Sequence, residues 1–105
     1  MVVGSPDDAI IGMTRSSVIT TWNRAAQRLY GYAATETIGK NIKFLLPADR
    51  LNELEGIQER MTTATGAEHH ETKRVHKDGH IVDVAIAVSP IRDLDGILIG
   101  LSART

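Results

Sequence analysis

The run from His80 to Ser89, HIVDVAIAVS, alternates strictly between two kinds of side chain. Val82, Val84, Ile86 and Val88 point one way, and Ile81, Asp83, Ala85, Ala87 and Ser89 point the other. A period of two in β-branched residues predicts a strand with one face in a core, so the chain must build a sheet. The second face carries Ala85 and Ala87, where a fully solvated face usually carries long polar side chains. Cover is therefore expected over it, from a flanking helix outside the chain or from a second copy of the sheet.

The sequence on either side supplies that strand's neighbours. Asp78-Gly79 lies between two extended runs, a hairpin signal because Gly takes positive φ readily and Asp tolerates it. Asp93-Leu94-Asp95-Gly96 marks a second turn, and ILIGLSA a last strand with Ile97, Ile99 and Leu101 on one face. Near the start, residues 9–13 (AIIGM) and 17–22 (SVITTW) read as two short strands. Asn23 is placed to cap a helix over RAAQRLY, which Gly31 ends, and Thr35 opens a short turn that ends at Gly39. Asp49 is placed to cap a longer helix, about residues 50–63, with Leu51, Leu54, Ile57 and Met61 as its apolar stripe. Strands and helices segregate along the chain, which predicts an α+β fold with an antiparallel sheet.

The 105 residues allow one domain. A net charge of −1 with no basic run gives no electrostatic support to a nucleic-acid or anionic-membrane partner. No apolar run approaches the length that membrane insertion needs, and SPDD near the start does not fit a signal peptide, so a cytoplasmic chain is expected. With zero cysteines, disulfides, thiolate metal sites and cysteine nucleophiles are excluded. His69, His70, Glu71, Asp78, Asp83 and Ser89 bear catalytic side-chain types, but no pattern orients a base on a nucleophile, and GILIG lacks a phosphate loop's spacing. No catalytic activity is expected.

The order of elements, with WNRAAQRLYGY, ETIGK, LLPADR and KDGHIVDVAIAVSPIRDLDGILIGLSA, resembles PAS domains over about residues 7–104. The resemblance implies a five-stranded antiparallel sheet with helices packed on one face around a small cavity. It implies a sensor and dimerisation module, a single PAS domain over 1–105 excised from a larger signalling protein. In that protein it would regulate a linked effector domain: a kinase, cyclase, phosphatase or transcription regulator. Leu45, Leu54, Ile57, Met61, His70, Val84, Ile86 and Ile99 are the candidate cavity residues. Ile81, Asp83, Ala85 and Ala87 are the candidate homodimer face.

Relatives with a cysteinyl-flavin bond are excluded as guides by the missing thiol. Haem-binding relatives take a histidine from the long helix, which has none here, and few aromatic residues are available to stack on a flavin. No cofactor is therefore expected. The alternative function is a ligand-free protein–protein interaction module.

All four histidines, His69, His70, His76 and His80, fall in EHHETKRVHKDGHIV. A two-residue turn at Asp78-Gly79 would set Arg74 against Asp83 as an outer-face ion pair and turn His69, Glu71 and Lys73 inward. A shift by one residue would instead turn His70 and Thr72 inward. Relatives often carry a cavity-facing apolar side chain where His70 stands, so His70 is expected to face inward, with a bulge reconciling the two ends. Buried there, an imidazole would titrate near neutrality and sense pH. Adjacent His69 and His70 cannot chelate one ion from opposite faces, and no metal site is expected.

Overall fold

The structure is a computed structural model and describes residues 8–105. The reading of residues 1–7 as carrying no signal peptide falls outside the described residues. Strands β1 (Ile10–Thr14) and β2 (Ile19–Trp22) are followed by α1 (Arg24–Tyr30) and α2 (Ala34–Thr37). Two 3-10 turns, Ile42–Leu45 and Ala48–Arg50, lead into α3 (Leu51–Met61), and β3 (Glu68–Val75), β4 (Ile81–Arg92) and β5 (Leu98–Arg104) complete the chain. The sheet is antiparallel throughout in the order β2-β1-β5-β4-β3, the expected α+β arrangement.

Local chemistry sets the helix ends. The Asn23 side chain accepts from the Ala26 amide at 2.9 Å, which satisfies a free donor in the first turn of α1. Gly31 closes α1 at φ 82°, a left-handed conformation that an L side chain resists. Asp49, expected to cap the long helix, lies inside the preceding 3-10 turn, and α3 begins without a side-chain cap. Its Leu54, Ile57 and Met61 are buried, whereas Leu51 is 42% exposed. At about 100° per residue Leu51 lies well to one side of the line joining the other three.

The core forms where those α3 side chains and Ala26 and Tyr30 of α1 meet Ile11, Met13, Val84, Ile86, Val88 and Leu101 on the sheet's inner face. The alternation expected of β4 holds, with Val84, Ile86 and Val88 buried and Ile81, Asp83 and Ala85 exposed.

Two expectations are corrected in the neighbouring strands. In β5, Arg92 pairs with Leu98 and Ile91 with Gly100, so Ile99 is an extra residue in a bulge. The bulge buries Leu98 and leaves Ile97 and Ile99 57% and 51% exposed. Ile99 is therefore no cavity residue, and Ile97, Ile99 and Leu101 do not share a buried face.

In β3, Val75 pairs with Ile81 and Thr72 with Val84, one residue away from the two-residue-turn register. The connection is wider than two residues: the His76 amide donates to the His80 carbonyl at 2.9 Å and the Gly79 amide to the His76 carbonyl at 2.9 Å. Thr72 and Arg74 consequently turn inward. Lys73, not Arg74, makes the outer-face ion pair with Asp83. No irregularity interrupts the β3–β4 ladder, so the bulge expected in β3 is not needed.

Candidate ligand cavity

Between α3, the Ile42–Leu45 turn and the inner face of β4 lies a cavity of about 40 Å³. Leu45, Leu54, Ile57 and Ile86 line it, four of the eight residues proposed from sequence. Met61 and Val84 are buried in the surrounding core without lining it. His70 faces the inner side opposite Ile86 but stands near Glu68, away from the cavity. Its Nε2 is 3.3 Å from Glu68 Oε1 without the geometry of a hydrogen bond, and Arg60 Nε pairs with the same oxygen.

The polar residues at the cavity wall, Arg74, Tyr30 and Thr105, are not among the candidates proposed from sequence. Arg74 is only 7% exposed. Its Nη2 donates to Glu53 Oε1 at 2.8 Å and its Nη1 to the Lys73 carbonyl at 2.8 Å. Thr72 Oγ1 donates to the other Glu53 oxygen at 2.6 Å, and Arg50 Nη1 donates to Thr72 Oγ1 at 3.2 Å. The network joins α3 to β3 and compensates the buried guanidinium, as a charge in an apolar wall requires.

Burial pushes the Glu53 carboxyl up, but the Thr72 hydroxyl and the Arg74 and Arg50 guanidiniums outweigh it and hold the carboxyl below its usual range. Burial pushes the Tyr30 phenol up, against a hydrogen bond with Thr105 and the Arg74 charge. Tyr30 is therefore a neutral hydroxyl at physiological pH. A pattern signal for Arg74 was within reach: under the shifted register it shares the face of Thr72, one strand position from the core.

The sheet's outer face carries small residues on β4 between larger polar ones on β3 and β5. Register places His69, Ala87, Arg104 and Ile10 in one row across β3, β4, β5 and β1, with Glu71 and Ala85 in the row beside it. Ser89, Ser102 and Gly12 form the next row toward the other end. Ile81, Asp83 and Ala85 are exposed and Ala87 is half-buried.

A sequence model described as the PAS fold matches residues 3–104. The chain belongs to the PAS family. PAS domains are sensory or interaction modules of signalling proteins. This one superposes on the PAS domain of a protein from Colwellia psychrerythraea with a TM-score of 0.84 at 24% identity, over 94% of this chain and 85% of that one. PAS-B of Drosophila melanogaster Cycle, solved with bound ethylene glycol, gives a TM-score of 0.81 at 10% identity over 92% and 97% of the two chains. An RNA-binding light-oxygen-voltage receptor gives 0.78 at 22% identity, over 93% of this chain and 28% of that one. No curated protein matches the sequence.

Some PAS domains hold haem or flavin, and the residues here do not fit either. The cavity is tens of Å³, against the hundreds that such ligands fill. Helix α3 contributes no histidine, and Met61, the one thioether on it, does not line the cavity. Of the aromatic residues only Tyr30 lines it; Trp22 and Tyr32 pack against Phe44, and none of these three lines the cavity. Among the described residues no helix is long and apolar enough to cross a membrane.

Proposed function

We propose that this PAS domain is a signal-sensing and dimerisation module that regulates a linked effector domain, with a small molecule bound in its inner cavity as the signal. The observation that carries the reading is Arg74, paired with Glu53 behind it, at the wall of a mostly apolar cavity. A buried charged pair is a costly way to fill a core and is often replaceable by apolar side chains without loss. At the cavity wall the Arg74 guanidinium supplies a directional contact for a polar ligand, while Leu54, Ile57 and Ile86 supply the apolar surface. The volume suits a ligand of a few heavy atoms. Ethylene glycol, held by the Cycle domain, is a guide to that scale. The module is read as non-catalytic.

The small volume favours a second reading, a ligand-free interaction module that passes on a partner's conformation. Native mass spectrometry of freshly purified protein, paired with its absorption spectrum, separates the two. A stoichiometric bound mass that Arg74→Met removes supports sensing. Bare protein that dimerises, and that gains no thermal stability from small carboxylates or diols, sinks the ligand reading and leaves the interaction module.

A further inference from the structure

The β3–β4 hairpin tip gathers donor groups that the cavity does not use. His76, Asp78 and His80 occupy alternate positions of the connection, and one donor atom from each lies within 4.8 Å of the other two. The two imidazoles stack, with centroids 4.6 Å apart and planes 23° from parallel. His76 Nδ1 is 3.2 Å from Asp78 Oδ1, and His80 Nδ1 contacts the same oxygen.

The tip is held in place by its surroundings. The Lys77 amide donates to the Tyr30 carbonyl at 2.9 Å, and Lys77 Nζ pairs with Glu36 of α2. The His76 ring lies so close over Gly31 that a Cβ there would stand 2.5 Å from Cε1. These contacts order the loop before any ligand arrives, which lowers the entropy that ligation must overcome.

We propose that His76, Asp78 and His80 bind one divalent transition-metal ion of the Zn²⁺ and Cu²⁺ class, with water completing the coordination. Two imidazoles and a carboxylate are borderline donors that favour these ions over Mg²⁺ or Ca²⁺, which prefer oxygen alone. Ligand bonds of about 2.0–2.2 Å put donors roughly 3.3 Å apart around a tetrahedral ion. Asp78 and His80, both exposed, reach that spacing by small rotations toward the half-buried His76. Two local bonds are displaced: the Asp78 amide to His76 Nδ1, 3.1 Å long, and the Asp78–His80 contact. Both are exposed, so water replaces them. His69 and His70 lie on β3 with side chains on opposite faces and cannot join.

The test is calorimetric titration of Zn²⁺ chloride into the untagged, chelator-stripped chain at about pH 7.5. The expected result is one saturable ion per chain, weakened about tenfold or more by His80→Ala and by Asp78→Asn. The His69→Ala/His70→Ala double variant should bind as the parent does. His80 is exposed, so its variant keeps the fold, which circular dichroism checks. Absence of saturable binding, undiminished affinity in His80→Ala, or loss confined to the His69/His70 double variant each overturns the proposal.

Discussion

Arg74 and Glu53 meet across the gap between β3 and α3 at 2.8 Å, both more than four-fifths buried at the side chain. Removing one partner strands the other in a poorly solvated place. Arg74→Met should therefore destabilise the domain by about 2–3 kcal/mol in urea unfolding, while adding Glu53→Leu should restore most of that. Recovery would show that the pair serves something other than stability. Acidification probes the same pair. In the folded state the Glu53 carboxyl sits below its ordinary range, so protonation is harder there than in the unfolded chain. Its contribution is full above the unfolded carboxylate value of about 4.3 and is lost as pH falls through the lower folded value. Unfolding free energies measured at neutral pH and near pH 3 should fall steeply for the parent and less for Glu53→Gln. Equal slopes for the two proteins would remove Glu53 from the acid response.

At the scale of elements, what the sequence made legible depended on whether the pattern was local. The alternation in β4 and the Leu51, Leu54, Ile57 and Met61 stripe of α3 need only neighbouring residues to be read; the first is realised, and the second except at exposed Leu51. Strand β3 is different, because its register is set by a connection whose width the Asp78-Gly79 signal does not fix. One residue of difference exchanged Arg74 for Lys73 as the partner of Asp83 and put a guanidinium into the core wall. An arginine in a strand reads as solvent-facing by composition, so the main polar group of the candidate site shows itself only under the shifted register. The bulge at Ile99 was equally hidden, since an apolar residue on either face of β5 leaves the same letters. The hairpin connection also leans on α1 at Gly31. Gly31→Ala imposes a left-handed backbone on alanine and pushes the His76 ring aside. It should cost about 1–2 kcal/mol in thermal or urea unfolding and shift the His76 resonances in NMR spectra. An unchanged stability would mean that the α1 terminus relaxes without strain.

For the whole molecule, the question is what the sheet does with its outer face. PAS domains commonly dimerise, and the outer face here has the shape for it: Ala85 and Ala87 in the middle rows, Ser89, Ser102 and Gly12 beside them, and exposed Ile91 and Ile99 toward one end. Small central residues let a second backbone approach closely, and the two isoleucines add apolar surface to an interface whose standard size is about 800 Å² per partner. In a two-fold dimer each residue near the axis meets its own copy. Ala85→Arg then puts two guanidiniums and their bulk against each other where small side chains had let the backbones approach. Sedimentation velocity should show the parent as a dimer at tens of micromolar and Ala85→Arg as a monomer, with Lys40→Ala, an exposed change before the Ile42–Leu45 turn, sedimenting as the parent does. The monomeric variant should keep the parent's circular dichroism spectrum, because Ala85 is exposed in the single chain. A dimer that survives Ala85→Arg would exclude the sheet face as the interface. The alanines would then have to be covered by chain flanking this domain, and a longer polypeptide carrying those flanks would protect the Ala85–Ala87 amides from hydrogen exchange more strongly than the domain alone.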